Sequence, residues 1–464
     1  MAIALRGVGV RALGLVGSVV LARLLLPSDF GVLAFGFTLV AVGAFFTDAG
    51  LAAGLIRNAT APTRAQLSAL LGLQLSATTV LVGLAAVPLW QAGTVGRVSA
   101  LMSASLLPGA FRVPAIIQLQ RNLDFAAVAI AEVLETAVYT ALSIGLVLAG
   151  FGVWGVAAAT LARPCLGIVV LQRAAPLRVL RPGRRWRTVA PLLVFGMTFQ
   201  ATRAVVLLRE QGINVATIAL AGSATLGFWT MTQRVMLVPF LLFETMWTVS
   251  YPALSRLLES GHDVRHDLTR GLRLGGLLTG LLVVPLAASA PAVVPLVFGQ
   301  AWLPLVPVVP LAAVGLVVAG PLFSIGTGYL NAIGKVRLVV LAEGATLVPW
   351  IIVLLVVLPR AGVLAHGLAW TVAALVEAVI LGGALARHAR VPVFRALGSN
   401  ALSALVAGGA TYAIVVGREP TVLLAVGAVA GSLLIYSPLA ALLSPFSVGD
   451  LWKVARGVWL RRSN

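Results

Sequence analysis

Apolar runs long enough to cross a membrane recur along almost the whole chain, and no other feature narrows its possible folds so far. A helix needs about 20 mostly apolar residues to span a bilayer. In lipid the backbone has no water to bond, so each run must satisfy its own N–H and C=O groups, as a helix or within a closed barrel. The in–out alternation of barrel strands is missing here. The chain therefore reads as all-α, a polytopic membrane protein. With 60% hydrophobic and 10% charged residues it lies far from the composition of a soluble globular domain.

About 14 transmembrane helices are predicted, over residues 8–26, 31–53, 66–90, 97–117, 126–149, 153–172, 189–208, 222–248, 270–296, 303–328, 337–358, 363–386, 397–416 and 420–443. The connections are short and carry turn residues, as in Leu26-Pro27-Ser28-Asp29 and Gly150-Phe151-Gly152. The first stretch follows Arg6 and Arg11 and reads as a retained helix, because no small-residue cleavage site follows it.

Charge sets the orientation. The net charge is +19, and six arginines fall between Arg173 and Arg187. In a soluble protein such a run points to nucleic acid. Between two blocks of membrane-length segments it reads instead as a cytoplasmic loop, which excludes a nucleic-acid partner. With the chain starting inside, 24 of the 33 basic residues fall on inner segments, five on outer connections and four within spans. That asymmetry predicts both termini in the cytoplasm and an even number of spans. Only Lys335 and Lys453 are lysines. The excess of arginine fits either a biased codon supply or phosphate recognition.

A weak internal repeat suggests duplication. Gly152-Val153-Trp154-Gly155 and Gly362-Val363-Leu364-Ala365 precede the sixth and twelfth spans, and Asp29-Phe30-Gly31 and Thr225-Leu226-Gly227 open the second and eighth. Parallel repeats of this kind are a transporter architecture. The expected domains are an N-terminal six-helix lobe (1–175), a basic linker (176–188), a C-terminal six-helix lobe (189–390), and an appended helix pair with a basic tail (391–464).

Several strings then resemble one family. Ala22-Arg23-Leu24-Leu25-Leu26-Pro27-Ser28-Asp29-Phe30-Gly31 and Asp48-Ala49-Gly50-Leu51 resemble the first-loop and second-span signatures of Wzx-type lipid-linked oligosaccharide flippases. Leu119-Gln120-Arg121-Asn122-Leu123-Asp124-Phe125, Tyr251-Pro252-Ala253-Leu254-Ser255-Arg256-Leu257 and Phe298-Gly299-Gln300-Ala301-Trp302-Leu303-Pro304 are similar to later landmarks of that family. The resemblance implies the colanic-acid-exporter-like branch of the multidrug/oligosaccharidyl-lipid/polysaccharide exporter superfamily. It implies two pseudo-symmetric lobes around a central cavity lined mainly by helices 1, 2, 7 and 8. It also implies an oligosaccharide on a polyprenyl pyrophosphate as cargo, moved by alternating access across the bacterial cytoplasmic membrane. A polymerase and glycosyltransferases of the same pathway are the partners it suggests, besides membrane lipids. The last two helices depart from the commonest twelve-helix pattern.

A charge at the bilayer centre costs about 2.5–3.5 kcal/mol on insertion scales, so each intramembrane charge needs a reason. Arg203 and Arg234, with Gln200 and Gln233 nearby, either hold the pyrophosphate and sugars or serve as structural pairs and snorkelling cations. Arg11 and Arg57 either guide the anionic head group at the inner mouth or only set topology. Glu132 and Glu135 share a helix face, and Glu135 is level with Arg163. An ion pair there competes with proton coupling, for which Asp48 is a further candidate.

No catalytic constellation is visible, so no enzymatic activity is expected. Cys165 is the single cysteine, His262 and His266 stand in a charged loop, and no phosphate-binding Gly-rich loop with its lysine occurs. Neither metal nor cofactor is expected. The alternatives are a drug, cation or lipid II exporter of the same superfamily, and an integral-membrane polysaccharide polymerase or ligase. The latter class needs a substantial external loop, and every predicted outer connection is short.

Overall fold

Glycine or proline marks most of the turns of this chain, though not the one at Asn122-Leu123-Asp124, where Leu123 takes φ 58°. The computed structural model describes residues 2–48, 50–58, 60–175, 180–184 and 186–452, with the side chains of residues 2–8, 186, 192–195, 197–199 and 201–203 outside the description. The described residues are helical or in short connections, and no strand occurs among them. The chain forms two compact units, Met1–Gly227 and Phe228–Asn464. The border thus falls beyond the basic linker.

The first unit contains α1 (Ala2–Leu24), α2 (Pro27–Asp48), α3 (Leu51–Arg57), α4 (Arg64–Gln91), α5 (Gly93–Ser103), α6 (Leu106–Ala110), α7 (Val113–Arg121), α8 (Phe125–Leu146), α9 (Gly152–Ala174) and the first stretch of α10 (Ala190–Glu259). Caps explain several starts. Thr63 and Gln66 form a reciprocal capping box on α4, and Asp124 accepts from the Ala127 amide to open α8. The turn predicted at Gly150-Phe151-Gly152 is present: a π-helical turn over Val147–Phe151 places Gly150 at φ 91° and Gly152 at φ 51°, and α8 packs back against α9. The segment predicted as one span at 97–117 is broken, with a bend of 48° between Gly93–Ala110 and Val113–Arg121. Pro114, at the start of α7, has no N–H for the turn before it, which ends the helix there.

At 1.5 Å per residue the 70 residues of α10 would reach about 105 Å, far more than one bilayer. The run is interrupted at Gly222, whose φ of 80° and ψ of 175° belong to a region that residues with a Cβ rarely enter. The two predicted spans at 189–208 and 222–248 therefore lie on two helical stretches that meet at Gly222.

The basic linker is partly docked. Leu180 and Val189 are buried with Leu51, Leu55, Leu70 and Ile117 in one apolar cluster. Ser68 donates its hydroxyl to the Arg181 carbonyl, and the Gly183 amide donates to the Ser68 carbonyl at 2.8 Å. A Cβ on Gly72 would lie 2.0 Å from the Gly183 oxygen, so the linker backbone rests directly on α4. Arg181, Arg184 and Arg187 remain exposed, while Arg178 and Arg185 lie outside the described residues.

The second unit continues α10 and adds α11 (Arg265–Ala288), α12 (Ala290–Val297), α13 (Val308–Pro321), α14 (Thr327–Ala332), α15 (Val336–Ala345), α16 (Leu347–Val356), α17 (Leu358–Ala361), α18 (Leu364–His388), α19 (Val393–Val415) and α20 (Val422–Leu443). Helix α11 packs against α13, α19 and α20, so the expected terminal pair is built into this unit's core. The Tyr436 hydroxyl, fully buried, donates to the Leu277 carbonyl at 3.1 Å. Gly280 makes room for that ring, since a Cβ there would lie 2.1 Å from the Tyr436 oxygen.

Candidate functional site

Helix α2 and the first stretch of α10 meet in close backbone contact. A Cβ on Gly31 would lie 1.7 Å from the Ser223 carbonyl oxygen, one on Gly227 1.8 Å from that of Pro27, and one on Gly50 2.2 Å from that of Gly196. Between these contacts two polar side chains bridge the helices. Asn214 donates to the Thr38 hydroxyl at 3.0 Å, and Gln200 donates its amide to the Phe45 carbonyl at 2.9 Å. Gln200 is buried, and it ties α10 to the C-terminal half of α2. Asp48, the last residue of α2, is half-buried. The side chain of Arg203 lies outside the described residues.

Gln233 and Arg234 belong to the second unit, on α10 beyond its break. Gln233 is exposed and Arg234 half-buried. This stretch is anchored by Trp229, which is fully buried and stacks on His366 of α18 at 4.9 Å, with Trp350 of α16 and Trp370 of α18 at 5.4 and 5.6 Å. Aromatic contacts of this kind add stabilisation beyond their buried area. They fix the helix from which Arg234 projects.

Glu135, on α8, has a side chain only 1% exposed. Arg112, at the bend between α6 and α7, approaches it with Nη2 at 2.7 Å. Arg163 of α9 is farther, its Nε at 3.7 Å from the other carboxylate oxygen, and its guanidinium also lies 5.8 Å from the Tyr139 ring. The sequence pairs Glu135 with Arg163 alone; the nearer partner is Arg112. All that the sequence offered for Arg112 was a charge within the predicted span 97–117. Gly167 gives the cluster room, because a Cβ there would lie 1.9 Å from the Glu135 oxygen. Glu132 is half-buried on the same helix.

Arg11 is half-buried on α1, and Arg57 is exposed at the end of α3. Among the described residues no group of three His, Cys, Asp or Glu side chains could hold a metal ion. A cavity of about 390 Å³ in the second unit, between α11, α13 and α19, is lined by apolar residues such as Val284, Leu311 and Leu405, with Tyr412 at its edge. It suits hydrocarbon rather than phosphate. Nine helices among the described residues are long and apolar enough to cross a membrane, or ten with the bent pair counted as one span. The arrangement is that of a membrane protein with charges held inside its helices.

Comparison with known proteins agrees with this picture. The family model described as polysaccharide biosynthesis protein matches residues 20–307. The chain is similar to the lipopolysaccharide biosynthesis protein WzxC of Escherichia coli (strain K12), 26% identical over 353 residues, a match covering 70% of this chain and 65% of the length of that relative. Among solved structures it is similar to the lipid II flippase MurJ in an inward closed conformation, with a TM-score of 0.71 at 14% identity over 96% of this chain and 99% of that one. It is also similar to an inward-facing multidrug resistance MATE family transporter of the MOP superfamily, with a TM-score of 0.53 at 16% identity over 83% and 98% of the two chains. At these identities the structures speak for the fold.

Proposed function

The chain belongs to the polysaccharide biosynthesis protein family, and on that premise we propose that it is a Wzx-type flippase of the MOP superfamily, carrying a polyprenyl-pyrophosphate-linked oligosaccharide. Family membership is the observation that carries this reading. The cargo would cross the bacterial cytoplasmic membrane from inner to outer leaflet by alternating access of two six-helix lobes. A polymerase and glycosyltransferases of the same pathway would supply and consume it.

Fourteen spans fit the helix lengths. The apolar runs of 50 and 56 residues are each long enough for two crossings, and they turn or break at Gly150–Gly152 and Gly222. With the bent pair, these raise nine candidates to twelve, and α1 and α19 complete the number. The charge asymmetry supports both termini inside.

Arg234 and Arg203 are the proposed pyrophosphate contacts, with Gln233 toward the sugars and Gln200 holding α10 in place. A guanidinium meets phosphate oxygens in two parallel hydrogen bonds, which a lysine cannot reproduce. Arg11 and Arg57 are proposed to meet the head group at the inner mouth. Asp48 and Glu132 are the proposed coupling-ion sites, while Glu135, between two guanidiniums, serves the fold. Deletion of the gene should abolish surface polysaccharide and leave lipid-linked repeat units inside; intact polysaccharide in the deletion strain would refute the proposal. Lipid II is the second cargo, favoured by the extent of the fold match to its flippase. Rescue of a lipid II flippase depletion strain by this chain would select it.

A further inference from the structure

Helix α3 is a seven-residue element inserted after α2, and it ends on Arg57. It is held at both ends. At its start Gly50, in the left-handed conformation at φ 69°, packs on the Gly196 backbone of α10. Leu51 and Leu55 are fully buried beneath it. At its other end the last carbonyls of any helix lack intrahelical partners. Here Nη1 of Arg121, the last residue of α7, donates to the carbonyl oxygens of Leu55, Ile56 and Asn58 at 2.9, 3.0 and 2.6 Å. The contacts join residues more than sixty positions apart in the chain and flank Arg57 on both sides. A cation at this end also complements the helix dipole.

The sequence between Asp48 and Asp124 contains no acidic residue. Arg57 and Arg64 are exposed here, and Arg181, Arg184 and Arg187 are exposed on the docked linker. The surface around Arg57 suits an anion. Its backbone, however, is set by a guanidinium that faces carbonyls.

We infer that Arg121 is a positioning residue: by capping α3 it fixes Arg57 where that side chain meets the pyrophosphate of the cargo. The inference rests on the head-group role proposed for Arg57. Arg121 acts through α3 in this arrangement, because its Nη1 faces three carbonyls at the end of that helix. A lysine there would keep the charge, but its shorter side chain would not carry a nitrogen to the place where Nη1 meets the three carbonyls.

A double-mutant cycle separates this role from a general electrostatic one. The probe is fluorescent farnesyl pyrophosphate, and the readout is its binding to the full-length protein in detergent by anisotropy. Arg57→Ala is expected to weaken binding about tenfold, Arg121→Ala by a similar factor, and the double variant no more than either alone; tenfold corresponds to about 1.4 kcal/mol. Arg121→Lys, which retains the charge should Arg121→Ala fail to fold, is expected to weaken binding severalfold in the wild-type background and not at all in the Arg57→Ala background. Losses that multiply, or an Arg121→Lys protein that binds normally, overturn the positioning role and leave that of Arg57 intact. Normal binding by Arg57→Ala overturns the head-group reading itself, and the inference with it.

Discussion

Arg112 and Glu135 meet at 2.7 Å between the α6–α7 bend and α8, and a glycine on α9 leaves the space in which they do so. The carboxylate is buried and Arg163 stands on its other side. Breaking a buried pair by removing one partner costs more than never having had it, because the remaining charge is left without compensation.

Glu135→Ala leaves two guanidiniums facing each other and should cost about 3 kcal/mol or more. A fall in the thermal unfolding midpoint of the purified protein would show it. Gly167→Ala should act in the same direction, since its Cβ would overlap the Glu135 oxygen. An unchanged midpoint in both variants would remove the cluster from the structural account.

The contact between α2 and α10 is predicted to tolerate no added methyl group at Gly31. The atoms that a Cβ would meet belong to the Ser223 backbone, which cannot move aside as a side chain can. Gly31→Ala should cost ~1–3 kcal/mol by overpacking. A Cβ added to Gly83, on α4, would meet nothing within 4 Å, so Gly83→Ala is the control, expected to be neutral or to add about 0.5–1 kcal/mol. Paired thermal melts check both.

Tyr436→Phe tests how far α20 is part of the second unit. It removes one buried hydrogen bond to the Leu277 carbonyl while keeping the ring beside Gly280. The expected loss is about 1 kcal/mol. A variant as stable as the parent would mean that the hydroxyl adds nothing to the hold of α20 on α11.

Much of the architecture was legible because lipid leaves the backbone few options. Apolar length alone gave the helical class, and Gly150-Phe151-Gly152 gave the α8–α9 turn, where both glycines take positive φ. Glu135 was legible as a residue needing an arginine. Which arginine was not, because the answer depends on a bend at Pro114 that brings Arg112 to α8. The docking of the linker was hidden for a similar reason: Ser68 and Arg181 meet across 113 residues, and neither carries a local signal for the other. Arg121 looked like one more inner charge, yet its guanidinium caps α3. Gln200 was placed with the sugar contacts, and the structure gives its amide to the Phe45 carbonyl.

The central claim is that this chain moves a pyrophosphate-linked saccharide between leaflets. The direct measurement uses the purified protein in liposomes loaded with a fluorescent polyprenyl-pyrophosphate-linked oligosaccharide, and follows how much label an impermeant quencher reaches over time. The account predicts that the wild-type protein exposes the inner-leaflet label and that Arg234→Ala, folded to the same thermal midpoint, does so far more slowly. Label that stays protected with the wild-type protein present, or equal rates for the two proteins, would contradict it.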